Sequence, residues 1–273
     1  MTKHIHKSPL SNLDWFFPGI SEDYEGLFIK DSEVWTALDL LKEYIRKIIR
    51  PNLEETIMQG IPLSTHLVLL PSGWMRDGFE VVCNDTTKGK LEVRINREPV
   101  PLASLVCAGA VFTDDRIQIG EGVFIESGAM IKGPSIIGDH TEIRQGAYVR
   151  GDCLIGKNCV IGHTTEVKHS VFLDGSKAGH FAYIGDSILG RDVNLGAGTK
   201  FANLRFASGN VSIKIEGSSI DTGRRKLGAI LGDNAQTGCN CVTNPGTLIG
   251  LDSVIAPNTT VRPGFYSPSS VIR

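Results

Sequence analysis

Long apolar runs, an excess of positive charge and a secretory leader are all missing from this sequence. No run of about 18 apolar residues occurs, so a membrane-spanning helix is not expected. The formal net charge is -2, without the basic excess typical of nucleic-acid-binding proteins. The first residues, MTKHIHKSPLSNLDWFF, contain no apolar signal core. We therefore expect a cytoplasmic protein that binds neither membrane nor nucleic acid.

Zinc-type cysteine spacing is also missing. Cys153 and Cys159 lie six residues apart and Cys239 and Cys241 two apart, and neither spacing is that of a zinc site. Cys83 and Cys107 are isolated. We expect six reduced thiols, since small buried cysteines are common in cytosolic proteins.

An aliphatic residue recurs at every sixth position in the middle of the chain. The series is Ile119, Ile125, Ile131, Ile137, Ile143, Val149, Ile155, Ile161, Val167 and Leu173. A fixed period of this kind is typical of stacked repeats. Each hexad predicts a short strand and a turn with its aliphatic side chain inward, from about residue 112 to 203. Such a rod has no deep internal pocket, so a site must lie between turns or between subunits.

Two one-residue shifts and one insertion interrupt the hexads. The shifts are predicted between Leu173 and Ala178 and between Ile184 and Leu189, on either side of Gly179–Tyr183. The insertion, 204–228, alternates apolar residues and then becomes basic at Arg224, Arg225 and Lys226. An insertion at one edge of a solenoid often marks a binding face, and a solvated loop is the alternative. Hexads resume at Leu231, and residues 266–273 are predicted to form a C-terminal arm.

Residues 1–110 do not follow the repeat and predict a small α+β cap. Apolar residues at helical spacing predict a helix over Asp31–Ile49, capped by Asp31 or Ser32 and closed by Pro51. A strand is predicted over His66–Leu70, and a hairpin joins 80–83 to 91–95. We expect this part to cover one end of the rod, because an exposed terminal turn would present unpaired backbone groups that can pair with another chain. The predicted domains are thus 1–110, 111–265 and 266–273.

Three segments in the rod carry a resemblance to a known family. They are TTEVK at 164–168, KAGHFAYIGD at 177–186 and DVNLGAGTKFAN at 192–203. In this order they resemble the acetyltransferase half of the bifunctional N-acetylglucosamine-1-phosphate uridylyltransferases. The helix and the insertion resemble the archaeal-type sugar-1-phosphate nucleotidylyltransferase/acetyltransferases. The resemblance implies a mainly β fold, a left-handed parallel β-helix of hexapeptide repeats with a small N-terminal α+β cap and an inserted loop. The family's nucleotidylyltransferase domain has no counterpart, since residues 1–110 contain no Gly-rich nucleotide loop of that kind.

The resemblance also implies an activity and its catalytic residues. The expected reaction is acetyl-CoA-dependent N-acetylation of an amino-sugar 1-phosphate, most simply glucosamine 1-phosphate, in UDP-N-acetyl-sugar synthesis. His180 matches the family's catalytic base, and imidazole has a pKa suited to proton removal near neutrality. Glu166 matches a carboxylate at the amine site, where it can hold the ammonium group.

Further residues match the family's ligands. Matching acceptor ligands are Arg150, Lys168, Tyr183, Asn194 and Lys226, with both Arg150 and Lys168 suited to phosphate. Matching acetyl-CoA contacts are Ala197 and Asn203, while Cys239 replaces a serine. A backbone N–H within 196–198 can donate to the oxyanion. Asp186 is interpreted as a turn former. The resemblance implies a homotrimer with sites between subunits and no required metal.

Three other functions remain open from the sequence. A zinc enzyme of the γ-carbonic anhydrase type would need three converging histidines, and His163, His169 and His180 are the local candidates. A non-catalytic hexapeptide scaffold would keep the hexads but lose the polar residues. An acyltransferase for another amino sugar or a nucleotide sugar would share the same residues. The sugar epimer and the acyl length are not determined.

Overall fold

The protein is a parallel β-solenoid of about nine turns, flanked by a small N-terminal region. The computed structural model describes residues 9–20, 24–58, 60–88, 90–215 and 217–273. Residues 1–8 of the predicted cap and Gly89 of the predicted hairpin turn lie outside this range. The predicted fold class, mainly β with a β-helix of hexapeptide repeats, is confirmed.

Three parallel sheets form the faces of the solenoid, and each turn contributes one strand to each face. Face 1 contains β6 (Ser104–Val106), β9 (Phe124–Ile125), β12 (Glu142–Ile143), β15 (Val160–His163), β18 (Lys177–His180), β21 (Asn194–Leu195), β26 (Gln236–Thr237), β29 (Val254–Ile255) and β32 (Val271–Ile272). Face 2 contains β7 (Val111–Phe112), β10 (Met130–Lys132), β13 (Tyr148–Arg150), β16 (Glu166–Lys168), β19 (Tyr183–Gly185), β22 (Lys200–Phe201), β27 (Val242–Thr243) and β30 (Thr260–Val261). Face 3 contains β8 (Ile117–Ile119), β11 (Ser135–Ile137), β14 (Cys153–Ile155), β17 (Val171–Phe172), β20 (Ile188–Leu189), β25 (Ala229–Leu231), β28 (Thr247–Ile249) and β31 (Gly264–Tyr266).

The core of the solenoid is a column of buried side chains at hexad spacing, as predicted. Ile131, Val149 and Val167 are all buried in one cluster and follow one another in register on face 2. Each removes its apolar side chain from water, a contribution of about 1.5–3 kcal/mol for a fully buried aliphatic residue.

The prediction for Leu173 is wrong by one residue. Phe172, not Leu173, lies in the inner column, in register with Ile155 and Leu189. Leu173 packs in a separate cluster outside the solenoid. The first shift in the hexads therefore falls between Val167 and Phe172, earlier than predicted. The second lies between Ile184 and Leu189, where the sequence placed it.

Both shifts occur at the same edge of the solenoid, where the chain passes from face 2 to face 3. On the next turn the insertion leaves from this edge after Phe201. It forms an antiparallel hairpin of β23 (Ser212–Ile215) and β24 (Ser218–Asp221), and its Val211 and Ile213 are buried against face 3. We call this edge the insertion corner.

The N-terminal region packs along one side of the solenoid and over one end. Helix α1 spans Thr36–Ile48, so it begins five residues after the predicted start, and its N-cap, Trp35, makes no side-chain cap hydrogen bond. Leu38, Leu41 and Ile45 of the helix are buried in the cluster that covers the outer side of face 3. The helix thus lies beside the rod and not over its end. Short 3-10 helices occupy Pro9–Ser11, Leu13–Trp15, Glu55–Ile57 and Thr86–Lys88.

Five further strands close the end of the rod. β1 (Leu67–Leu70) pairs antiparallel with β2 (Gly73–Met75) and with β6, which extends face 1 beyond the first turn. The predicted hairpin is confirmed as β3 (Phe79–Cys83) and β4 (Leu91–Ile95), and β5 (Glu98–Val100) pairs with β4. The C-terminal arm predicted at 266–273 is instead part of the solenoid, since β32 pairs with β29.

No described helix has the length and hydropathy that crossing a bilayer would require.

Candidate functional site

The site is built on the edge between faces 1 and 2, which we call the histidine corner. It comprises the stacked residues Gln145, His163, His180, Ala197, Cys239 and Pro257. The carbonyl oxygen of each of the first five accepts a hydrogen bond from a backbone N–H of the next turn, at 2.8–3.2 Å. The histidine predicted as the base and two of the predicted cofactor residues therefore share one continuous edge.

The residues that follow the two histidines are uncommon residue types for their backbone conformation, which Asn240 and Asn258 also adopt on later turns of this corner. Thr164 and Phe181 have φ of 51° and 52°, in the left-handed region that favours glycine. A bulky or β-branched residue there is a backbone outlier, and such outliers cluster at functional sites. Phe181 is 59% exposed, so burial of its ring does not account for its presence.

His180 presents its ring to the surface beside a second imidazole. The rings of His163 and His180 are stacked with centroids 5.9 Å apart and planes 22° apart. The next ring along the chain, Phe181, has its centroid 6.3 Å from that of His180. His180 is exposed.

Face 2 carries four of the predicted site residues, Arg150, Glu166, Lys168 and Tyr183, in two adjacent rows. Tyr148, Glu166, Tyr183 and Lys200 are consecutive partners in register, so their outward side chains are about 4.8 Å apart. In the adjacent row, Lys132 is in register with Arg150, and Lys168 with Gly185. Glu166 and Tyr183 are thus direct neighbours, and Tyr183 lies three residues after His180 on the same turn.

The basic side chains of this face are held by carboxylates and an aromatic ring. Arg150 Nη1 donates to Glu166 Oε1 at 2.6 Å. Arg150 and Lys132 lie 5.9 and 5.4 Å from the centroid of the Tyr148 ring. The hydrogen bond to Glu166 raises the pKa of the Arg150 guanidinium, which stays charged. Tyr148 was not singled out in the sequence, although its register with Glu166 places it in the row.

Asp186 connects face 2 with the insertion corner. Its buried carboxylate accepts from Lys168 Nζ at 3.1 Å and from Asn203 Nδ2 at 2.6 Å. It has φ of 50°, so the turn predicted from the sequence is present. Its role in an ionic cluster was not predicted, because a lone aspartate after glycine reads first as a turn.

Gly185 brings two predicted ligands together. A Cβ at this position would lie 2.6 Å from Asn203 Nδ2 and 2.7 Å from the Tyr183 hydroxyl oxygen. The amide of Asn203 and the hydroxyl of Tyr183 therefore both lie over the glycine. Asn203 is predicted as a cofactor residue. In the structure it lies beside Tyr183, which is predicted as an acceptor ligand.

The remaining predicted residues lie at the margins of this group. Asn194 is exposed on face 1, in register with Lys177 and Gln236, and does not join the Tyr183 row. Lys226 is exposed in the insertion, bridged to Leu204. Neither is brought to His180 by this chain.

The Gly196–Gly198 segment offers one available backbone donor. Gly196 N donates to Thr237 O and Gly198 N to His180 O. Within the described part of the chain, no acceptor pairs with the N–H of Ala197. This N–H lies on the histidine corner directly after the turn of His180.

The three histidines of the zinc alternative do not converge. His163 and His180 are on the histidine corner, whereas His169 is on the insertion corner with Nε2 3.0 Å from the carbonyl oxygen of Leu38. Across the described ranges, no three His, Cys, Asp or Glu side chains form a group able to hold a metal ion.

The cysteines are free thiols in two environments. Cys153 and Cys159 are fully buried, and burial raises the pKa of each to about 12. Cys239 is exposed on the histidine corner, one turn after Ala197. No two of the six form a disulfide.

Comparisons with known proteins match part of the chain. The family model described as the GMPPB C-terminal domain matches residues 131–218. A bifunctional sugar-1-phosphate nucleotidylyltransferase/acetyltransferase of Sulfurisphaera tokodaii is 46% identical over 93 residues, which are 34% of this chain and 23% of that protein. The bifunctional protein GlmU of Methanococcus vannielii is 38% identical over 104 residues, 38% of this chain and 25% of that protein.

Among solved structures, GDP-perosamine N-acetyl transferase from Caulobacter crescentus is 18% identical, with a TM-score of 0.27, over 58% of this chain and 52% of that chain. The matched part of this chain spans about a quarter of the length of the curated relatives named above. The curated relatives confirm the resemblance inferred from the motifs at 164–203. Their sequence similarity covers about a third of this chain.

Proposed function

We propose that this chain is an acetyl-CoA-dependent N-acetyltransferase that acts on an amino-sugar 1-phosphate, with glucosamine 1-phosphate as the preferred acceptor. One observation carries the proposal. His180, Ala197 and Cys239 share one edge of the rod, and the Glu166–Tyr183 row lies on the face that begins at that edge. Base, thioester and amine can therefore meet at a single surface. A curated relative whose name includes an acetyltransferase is 46% identical to this chain over 93 residues.

The reaction requires one proton to move twice. The acceptor's ammonium first releases one proton to solvent. The free amine then attacks the thioester carbonyl carbon, and the imidazole of His180 accepts a second proton from the nitrogen as the C–N bond forms. The N–H of Ala197 donates to the oxyanion as the tetrahedral intermediate forms. When the C–S bond breaks, the imidazolium returns its proton to the departing thiolate of coenzyme A. No metal enters this sequence of steps.

Because Arg150 and Glu166 form an ion pair, the acceptor phosphate can affect binding of the amine as well as of the sugar. Without ligand, the guanidinium and the carboxylate are bound to each other at 2.6 Å. A phosphate on Arg150 competes with Glu166 for the guanidinium, because phosphate accepts two parallel N–H bonds. Glu166 is then free to bind the ammonium group of the sugar. The phosphate thus promotes amine binding as well as holding the substrate.

A thiol-release assay with acetyl-CoA tests the proposal. Glucosamine 1-phosphate, galactosamine 1-phosphate and both unphosphorylated amino sugars are compared, and we expect turnover only with a 1-phosphate. His180→Ala should lower kcat by about 10²–10⁴ with an unchanged thermal melt. His163→Ala is the matched control, since it removes the stacked neighbour but not the proposed base. Full turnover by His180→Ala removes the proposed base, and no release with any of the four amines contradicts the acceptor class.

We also propose a homotrimer in which a neighbouring subunit completes the site. Face 2 leaves its polar rows half-buried or exposed, and Lys226 is exposed and distant in sequence from the His180 turn. A neighbouring copy packed along face 2 could bring its own Lys226 to the phosphate. Size-exclusion chromatography with light scattering gives the subunit number, and a monomer with full activity would contradict the shared site.

A further inference from the structure

An ionic cluster, buried at Asp186 and Arg224 and half-exposed at Asp39, connects helix α1 with the predicted phosphate-binding lysine. Asp186 is at its centre, with a side chain only 5% exposed. Lys168 pairs with it at 3.1 Å, and Arg224 of the insertion lies 3.9 Å from its other oxygen. Arg224 is in turn ion-paired with Asp39 in the first turn of α1, and its side chain is 13% exposed. Four charged groups from four separate segments thus form one chain of contacts.

The positions of these groups follow from the shape of the insertion corner. Two successive turns are one residue short here, at 167–172 and 184–189, and the third turn opens into the insertion. His169 and Asp186 lie at the two shortened corners, each with a left-handed backbone (φ 45° and 50°). His169 Nε2 must donate its proton to Leu38 O, because a carbonyl oxygen only accepts. Two consecutive helix residues, Leu38 and Asp39, therefore contact this corner.

The charges balance only when Asp39 is included. Lys168 and Arg224 carry one positive charge each, and Asp186 and Asp39 one negative charge each. Buried charges are stable when paired, and loss of one partner leaves the other uncompensated. Without Asp39, Asp186 is the one carboxylate that the guanidinium of Arg224 can still reach among the described residues. Asp186 would then be shared between Arg224 and Lys168, and the ammonium of Lys168 would lose its fixed position.

We infer that Asp39 and Arg224 are positioning residues that fix Lys168 for the acceptor phosphate. The inference rests on the proposed function in one respect, that Lys168 binds this phosphate. It gives the N-terminal helix a part in acceptor binding, in addition to covering face 3. Asp39 and Arg224 do not touch the substrate. They act through Asp186.

Asp39→Asn tests the inference, because it removes the charge and keeps the shape. We expect KM for the amino-sugar 1-phosphate to rise about tenfold, with kcat and KM for acetyl-CoA unchanged. Asp39→Glu should restore most of the affinity, since it returns the carboxylate. Glu43→Gln is the control, because Glu43 is on the same helix and pairs only with the exposed Arg46 among the described residues. A purely structural role of Asp39 would change the melting temperature or kcat and not KM for the phosphate alone.

Binding of α-D-glucose 1-phosphate, which lacks the amine, separates this inference from the proposed reaction. Calorimetric titration of wild type and Asp39→Asn should show the same tenfold loss even if no acetyl transfer occurs. Active wild type with an Asp39→Asn variant of equal KM and equal affinity for the probe overturns the inference and leaves the proposed function intact. Wild type that neither reacts nor binds the probe overturns both. Should Asp39→Asn fail to fold, Arg224→Lys keeps the charge but shortens the reach, and an unchanged KM there would equally overturn the inference.

Discussion

At the scale of single residues, Arg150 and Glu166 form a pair that the substrate must open. If phosphate displaces Glu166 from the guanidinium, Arg150→Ala removes both the phosphate contact and the competitor for Glu166. We expect KM for the 1-phosphate acceptor to rise about 10–100-fold, the value of a charged hydrogen bond, while the unphosphorylated amino sugar reacts no worse or slightly better. Steady-state kinetics with both sugars measures the discrimination. Equal losses with both would show that Arg150 does not bind phosphate.

Cys239 provides a chemical probe of the proposed cofactor edge. It is exposed on the histidine corner, whereas Cys153 and Cys159 are buried and have pKa values of about 12. Because thiolates are the species that alkylate, we expect iodoacetamide to modify Cys239 well before either buried thiol. Coenzyme A should slow this modification and leave labelling of the exposed Cys83 unchanged. Mass spectrometry of labelled peptides follows each site, and protection of both or neither would argue against a cofactor on this corner.

At the scale of secondary-structure elements, the one-residue shift in β17 separates two kinds of apolar side chain. Phe172→Ala removes a ring from the inner column, and we expect a loss of about 3–5 kcal/mol in the free energy of unfolding. Leu173→Ala weakens the packing of the N-terminal region on face 3, so it should raise proteolysis of the 9–49 segment with a smaller effect on the solenoid. Denaturant unfolding and limited proteolysis measure the two effects, with the exposed Val254→Ala as control. If Leu173→Ala destabilised the solenoid and Phe172→Ala raised proteolysis of the N-terminal segment, Leu173 would be the inward residue, as predicted from the sequence.

The burial of His169 against α1 predicts a pH dependence of stability, although its hydrogen bond to Leu38 opposes the effect of burial on the pKa. Burial holds the pKa of His169 below its ordinary value of 6.5, although the carboxylates of Asp186 and Asp152 act in the opposite direction and Arg224 adds to the lowering. The unfolded chain therefore takes up the proton first. The free energy of unfolding should be constant for this group above about pH 6.5 and fall as the pH drops below it.

His169→Gln keeps a donor for Leu38 and cannot take up a proton. The variant should lose part of the decrease between about pH 6.5 and pH 5 that the wild type shows in urea unfolding. Substitution of His66, which is on another part of the surface near Ala108, is the control. Identical slopes in wild type and His169→Gln would show that His169 is not responsible.

The elements show how far a sequence pattern can determine this fold. The hexads predicted the faces and the inner column because every inward side chain repeats at one interval and removes apolar area from water. They failed at Leu173 because Phe172 and Leu173 are both large and apolar, and the hexad pattern does not tell which one packs against the N-terminal region outside face 3. The start of α1 was placed too early for a similar reason, since Val34 and Trp35 are buried in the turn that precedes the helix.

The candidate site could also be predicted only in part. The motifs located His180, Glu166, Tyr183 and Lys168, and local register then places most of them side by side. Arg224 and Asp39 could not be found this way, because their contacts join segments 185 residues apart in the sequence. A basic run in an insertion is compatible with a solvated loop or a binding face, and the sequence does not tell that Arg224 is buried while Arg225 and Lys226 are exposed.

At the scale of the whole molecule, the proposed trimer makes a prediction that no single chain can satisfy. His180 and Lys226 would act in the same site but come from different subunits. His180→Ala and Lys226→Ala should each be impaired when pure, the first through kcat and the second through KM for the acceptor. When the two variants are unfolded together at equal amounts and refolded, some sites receive His180 from one chain and Lys226 from another.

Random assembly in a ring of equivalent interfaces gives about one quarter of the sites intact. We therefore expect about a quarter of wild-type turnover at low acceptor concentration, where each pure variant is nearly silent. Mixing without refolding is the control, because subunits that do not exchange cannot combine. Recovery no greater than the average of the two pure variants would mean that each site is built from one chain, and Lys226 would then have no part in it.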